Sequence, residues 1–160
     1  MSSYSISRIG AVLVLVAGLL MIGGCCTIGY GPCTLKDQFT LKGATTLNAC
    51  GDDGRSHPVA VRFYALKDAE KFQSAAFEDL WDNAAEVLGG DLLDDPVKAF
   101  VQPGGTEAVS ILRPDGAKAI GVLANFCERN EESYRRKIYE LGKRGASQEL
   151  NLSGQRMTSN

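Results

Sequence analysis

From Phe39 to Leu47, and again from Val59 to Tyr64, alternate residues fall into an inner and an outer set with a period of two, a pattern that a half-buried strand satisfies and a helix cannot. Phe39, Leu41, Gly43, Thr45 and Leu47 fall on one side of a strand predicted over Phe39–Asn48, with Thr40, Lys42, Ala44 and Thr46 on the other. Val59, Val61 and Phe63 define the inner side of a second strand, with Arg62 and Tyr64 opposite. Between them, Asn48–Pro58 (NACGDDGRSHP) is a loop by composition, with Gly, Asp, Ser and Pro crowded together. A hairpin needs only about two to five connecting residues, so this loop is longer than its strands require. Surplus loop length often carries function.

The period then changes. Phe77, Leu80, Trp81, Ala84 and Leu88 form one helical face, with Asp79, Asp82 and Glu86 off it and Gly89-Gly90 as a stop. A turn around Ala69–Phe72 belongs to the same helical excursion, and Trp81 reads as a core residue. After Pro96 strands return: Val97–Gln102, Thr106–Leu112 with Val109 and Ile111 on one face, and Ala117–Phe126 with Ile120, Val122, Ala124 and Phe126 on one side. Arg113-Pro114-Asp115-Gly116 is a tight-turn signal, with Pro presetting φ at the first central position. Tyr134–Leu141 is expected to be the last strand. The pattern predicts a mainly β fold, a two-sheet β-sandwich over 39–141 with a short helical insertion between strands. Residues 142–160 have few apolar side chains and are expected to remain disordered.

The N-terminus has a different character. Met1–Arg8 is polar with a positive end, and Ile9–Ile22 is continuously apolar, followed by Gly23-Gly24-Cys25. A spanning helix needs roughly 20 apolar residues, so this run is short for a membrane anchor and has the length and flanks of a secretory signal. Ile22-Gly23-Gly24-Cys25 resembles a bacterial lipoprotein box, which implies a signal peptide over 1–24 and a covalent lipid on Cys25. Several acyl chains make such an anchor permanent. No acidic residue follows Cys25, which points to the outer membrane, periplasmic face. Residues 25–38 read as a tether. Removing the signal with its single charge, Arg8, moves the net charge only from −2 to −3. That balance and the length of the chain exclude a nucleic-acid surface and a polytopic membrane fold.

Five cysteines are present: Cys25, Cys26, Cys33, Cys50 and Cys127. With Cys25 assigned to the lipid, four remain in a compartment that permits disulfides, and they allow three pairings. Cys33 and Cys50 flank the two ends of a strand that would span about 30 Å. Five residues reach at most about 17 Å, so joining these two is disfavoured. Cys50–Cys127 with Cys26–Cys33 is the preferred arrangement.

No recognisable catalytic or nucleotide-binding motif occurs, and His57 is the sole histidine, on the long loop beside Pro58. Asp91, Asp94 and Asp95 lack the spacing of a calcium loop and read as a solvated acidic turn. Arg135-Arg136-Lys137 reads as an exposed strand rather than a phosphate site. No catalytic site, metal site or cofactor other than the lipid is expected, and the chain is not expected to be an enzyme.

The run HPVAVRFYALKD (57–68), then FQSAAFEDLWDN, LGGDLL, VQPGG and AIGVLANF in that order, resembles the TssJ family of type VI secretion lipoproteins. The resemblance covers about 38–141. It implies a transthyretin-like sandwich tethered to the outer membrane, holding the periplasmic C-terminal region of a TssM-like inner-membrane protein, with TssL in the same complex. It also implies that the loop between the first two strands contacts the partner. Here that is Asn48, Ala49, Cys50, Gly51, Asp52, Asp53, Gly54, Arg55, Ser56 and His57, the same over-long connection. Cys50 is not part of the pattern associated with the family. The competing reading is a free-standing envelope lipoprotein that binds a small ligand or peptidoglycan, which would need a concave apolar pocket with convergent polar groups.

Overall fold

The computed structural model describes residues 35–51, 54–128 and 131–159. The predicted signal peptide, Cys25, Cys26, Cys33 and most of the tether lie outside the described residues, as do Asp52 and Asp53. The elements in order are β1 (Lys36–Gly43), β2 (Val59–Leu66), α1 (Glu70–Ser74), α2 (Phe77–Leu88), a 3-10 turn (Gly89–Asp91), β3 (Val97–Val101), β4 (Thr106–Leu112), β5 (Ala119–Asn125), α3 (Glu132–Arg135), β6 (Arg136–Glu140), β7 (Ser147–Ser153) and β8 (Arg156–Ser159). They form two four-stranded sheets, β4-β1-β7-β8 and β3-β2-β5-β6. The β1–β7 pair is parallel, and the other pairs are antiparallel.

The sandwich follows from the alternation. Phe39 and Leu41 of β1, Val109 and Ile111 of β4, and Leu150 and Leu152 of β7 meet Val59, Val61 and Phe63 of β2 and Ile120, Val122 and Ala124 of β5 in one buried core. The Phe39 and Phe63 rings stand 5.0 Å apart across it. β2 and β5 are buried on both faces, because the helical insertion covers the outside of their sheet. Phe72, Phe77, Leu80 and Leu88 pack there against Tyr64, Leu66, Ala119 and Leu123. The Tyr64 hydroxyl donates to the Leu80 carbonyl at 3.1 Å. Gly121 makes this close packing possible, since a Cβ there would lie 2.6 Å from the Phe72 ring.

Several boundaries differ from the sequence reading. β1 begins at Lys36, inside the stretch read as tether, and ends at Gly43 rather than Asn48. A Cβ at Gly43 would lie 2.5 Å from the Gln102 carbonyl, and after it the chain turns, Leu47 N–H donating to Ala44 O at 3.1 Å. Thr45 is therefore exposed and Leu47 is buried as the plug beneath the loop. The tight turn is shifted by one residue: Ala117 N–H donates to Pro114 O at 3.2 Å, with Gly116 at φ 84°. Pro114 thus opens the turn instead of taking its first central position. The predicted strand Tyr134–Leu141 begins as the helical turn α3.

The largest correction concerns 142–160. Residues 147–159 form β7 and β8, and β7 lies between β1 and β8. Leu150, Leu152 and Met157 are buried, and each such side chain contributes about 1.5–3 kcal/mol. Gly154 at φ 55° supplies the left-handed residue of the two-residue β7–β8 turn. The approach to β7 is held by a buried ion pair. Asp37 is fully buried and Arg113, with its side chain 9 % exposed, donates to both its oxygens, at 2.9 and 2.6 Å. Arg113 also donates to the carbonyls of Gly142 and Arg144, and Ala146 N–H donates to Asp37. The hydrogen bond to Asp37 raises the Arg113 pKa further above its ordinary value.

Candidate partner-binding loop

The β1–β2 connection is held at its base by three separate parts of the chain. Asn48 is 5 % exposed and adopts φ 49°, a left-handed conformation that Asn tolerates better than most residues. Its side chain bridges the loop ends: Oδ1 accepts from Cys127 N–H at 2.8 Å, and Nδ2 donates to Pro58 O at 3.2 Å. Its own N–H donates to Gly154 O at 2.8 Å, tying the loop to the β7–β8 turn. From that turn Gln155 Nε2 donates to Ala49 O at 3.0 Å. A disulfide joins Cys50 to Cys127, with the Cα atoms 6.3 Å apart.

The returning arm is fixed as well. Cys50 N–H donates to Arg55 O at 3.4 Å, and His57 N–H to Leu47 O at 3.1 Å. Ser56 Oγ donates to Thr45 O at 2.8 Å. Gly54 N–H donates to Gly51 O at 3.2 Å. Gly51, Gly54, Arg55 and His57 are exposed, while Ala49, Cys50 and Ser56 are half-buried. The described part of the loop is thus braced at its base and exposed at Gly51, Gly54, Arg55 and His57. Loop residues ordered before binding lower the entropy lost on association.

A groove of about 430 Å³ adjoins the disulfide through Cys127. Phe77, Trp81 and Phe126 supply its apolar lining, and Glu78, Asp82 and Arg135 its charges. Trp81 is half-buried against the helical cluster, its ring 5.6 Å from Phe77 and nearly parallel to it. The Arg62 guanidinium covers Trp81 at 4.0 Å and donates to its carbonyl.

The basic cluster 135–137 is not the exposed strand expected of it. Arg135 is buried with its guanidinium 3.4 Å from the centre of the Phe77 ring. Arg136 donates to the carbonyls of Gln73 and Ala75, clamping α1 to β6. Burial lowers the Arg136 pKa, against the opposing pull of Glu132 at 3.1 Å. In the acidic turn, Asp91 pairs with Lys71 at 2.8 Å, and among the described residues no group of side chains is arranged to hold a metal ion.

The sequence singled out the loop and its preferred Cys50–Cys127 bond, but not the hydrogen-bonded braces. Asn48 counted only as a loop former, and Gly154 and Gln155 fell in the stretch taken as disordered. Their signal was the Ser-Gly-Gln turn between two short alternating runs.

No curated protein matches the sequence. Solved structures do. A chain of a type VI membrane complex is 27% identical, with a TM-score of 0.71 over 79% of this chain and 98% of that one. A chain in the structure of the T6SS protein TssM C-terminal domain (869–1107) from EAEC is 25% identical, with a TM-score of 0.66 over 79% of this chain and 98% of that one. The T6SS lipoprotein TssJ1 from Pseudomonas aeruginosa is 23% identical and shares the fold, with a TM-score of 0.68 over 79% of this chain and 97% of that one. Residues 36–155 match the T6SS-SciN family, described as type VI secretion lipoprotein, VasD, EvfM, TssJ, and the chain belongs to that family.

Proposed function

We propose that this protein is the outer-membrane anchor of a type VI secretion membrane complex. A lipid on Cys25 holds it to the periplasmic face of the outer membrane. The Asn48–His57 loop binds the periplasmic C-terminal region of a TssM-like inner-membrane protein, with TssL in the same assembly. The reading is mechanical: a fixed end, a rigid sandwich and a preformed contact.

The observation that carries it is the braced, exposed loop on a chain of this family. Similarity to chains solved within a type VI membrane complex and with a TssM C-terminal domain supports the choice of partner. No step in this account requires a catalytic group or a cofactor.

The test is Cys25→Ala in a strain whose type VI system is active. The variant is expected to fold and to bind the TssM-like region in solution, while the complex fails to assemble at the outer membrane and secretion stops. Normal secretion by that strain would overturn the anchoring role.

A further inference from the structure

An open two-sheet sandwich has four edge strands, and each presents unpaired N–H and C=O groups that a further strand can complete. Among the described residues β4 pairs only with β1, β8 only with β7, β3 only with β2 and β6 only with β5. Three of these edges are short and charged. β3 has five residues with Lys98 among them, β6 has five with Arg136, Lys137 and Glu140, and β8 has four and begins at Arg156. Short length and charge keep an edge from pairing with another chain. β4 lacks both protections. Its seven residues, Thr106–Leu112, include no proline and a single charge, Glu107. Thr106, Ala108, Ser110 and Leu112 form its outer face, all exposed.

The exposed apolar surface gathers on the same side. β3 and β4 are consecutive strands, each at the edge of its sheet. Among the described residues the large apolar side chains that stand exposed are Leu112 of β4 at 57 %, Val97 and Phe100 of β3 at 37 % and 64 %, and Leu35 at 37 %. Leu35 lies at the end of the β1–β4 ladder, where its carbonyl accepts from Arg113 N–H at 2.8 Å. The charges around this side are mixed: Lys36, Lys98 and the Glu149-paired Lys42 stand against Glu107, Asp94, Asp95 and Asp115. Net charge therefore selects no partner, and strand register has to.

An added antiparallel strand must keep outer residues opposite outer residues. Of the registers that do so for a second copy of β4, the one centred on Val109 pairs all seven residues. Thr106 then faces Leu112 of the second copy, Ala108 faces Ser110, and Glu107 faces Ile111, so no like charges are opposed. We infer that β4 joins two copies of this chain across a twofold axis at Val109, running β1 and β4 of both into one continuous sheet. The edge is about 23 Å long and its layer about 10 Å thick, so pairing it buries roughly 460 Å² over both copies. A stable complex needs about 1,200 Å². Pairing is therefore weak in dilute solution and forms where copies are confined together. For that confinement it rests on the lipid anchor proposed above.

The experiment uses the full-length chain produced in bacteria, with a photo-crosslinking residue in place of Thr106 or, as a control on the far edge of the same sheet, Thr158. After irradiation, mass spectrometry identifies each adduct and maps the joined residues, and intact mass reports the lipid separately. A two-copy adduct joining position 106 to the vicinity of Leu112 is expected, with none from position 158. Ala108→Lys/Ser110→Lys opposes two lysine pairs across the axis and should lower the adduct about fivefold. Ala108→Lys/Ser110→Glu sets each lysine against a glutamate of the other copy and should restore most of it. Both variants lose the Gln38–Ser110 hydrogen bond alike, so only the register separates them.

Equal yields from the two variants, equal adducts at 106 and 158, or capture of a different protein at 106 would overturn the pairing. No adduct on a lipidated chain would overturn it too and leave the anchor standing. A mapped two-copy adduct on a chain without the lipid mass would support the pairing and remove the anchor.

Discussion

Removing the Cys50–Cys127 disulfide separates two roles that the structure assigns it. The bond closes a loop of sequence separation 77, and constraining the unfolded chain over that length is worth about 4.5 kcal/mol by loop-closure entropy. Measured losses run to about 2–5 kcal/mol, so Cys50→Ser/Cys127→Ser should lower the unfolding free energy by that amount. Each kcal/mol shifts Tm by roughly 3–5 °C in a domain of this size, giving a fall on the order of 10–20 °C. The hydrogen bond from Cys127 N–H to Asn48 Oδ1 uses the backbone of 127 and survives the change. The loop base should therefore hold while its arm loosens, weakening partner binding by about three- to tenfold, the cost of ordering a flexible contact. Urea titration of both proteins measures the stability, and the slope adds a check. A longer-reaching unfolded chain exposes more surface, so the m-value should rise in the double variant. A double variant within about 1 kcal/mol of the parent, with unchanged m, would refute the reasoning.

Other perturbations follow from the packing. Asp37→Ala strands the nearly buried Arg113 guanidinium and should cost about 3–5 kcal/mol in urea unfolding, because the pair fastens β1, β4 and the 142–146 segment together. Gly121→Ala forces a methyl against the Phe72 ring and should cost about 1–3 kcal/mol. Combining it with Phe72→Leu should recover part of that, and strict additivity of the two losses would contradict the contact. Deleting 142–160 removes Leu150, Leu152 and Met157 from the core, at about 2–5 kcal/mol each. Against a total stability of about 5–15 kcal/mol, the shortened chain should be unfolded by circular dichroism; a folded product would mean that β7 is dispensable.

Where one face is buried and the other solvated, a period of two is readable, and the inward residues of β1 and β4 were legible for that reason; β2 and β5, buried on both faces, were legible as short, largely apolar runs bounded by turn residues. The amphipathic α2 was legible through its period and its Gly89 stop, at φ 55°. The C-terminal strands were not. Only Leu150, Leu152 and Met157 carry their inner face, and the surrounding Ser, Asn, Gln and Glu resemble an unstructured tail by composition. β7 is ordered by pairing with β1, a partner more than a hundred residues earlier in the chain, and no local window contains that term. The ion pair of Asp37 and Arg113, separated by 76 residues, is hidden for the same reason. At the candidate site the length of the loop and its Cys50–Cys127 brace were visible in the sequence. The hydrogen-bonded bracing was not, since Asn48 acquires its role only when Cys127, Pro58 and Gly154 converge on it.

The central claim is that the Asn48–His57 loop is the surface that holds a TssM-like partner. The most direct measurement is a titration of residues 27–160 with the periplasmic C-terminal region of the TssM-like protein. The intact chain would be compared with one in which Asp52–Ser56 is replaced by a short Gly/Ser link. The stem residues Asn48 and Cys50 are kept, so circular dichroism and Tm should show the fold intact. The account predicts a Kd of micromolar or tighter for the intact chain and loss of binding with the tip. Unchanged affinity after replacement, in a protein that still folds, would contradict it.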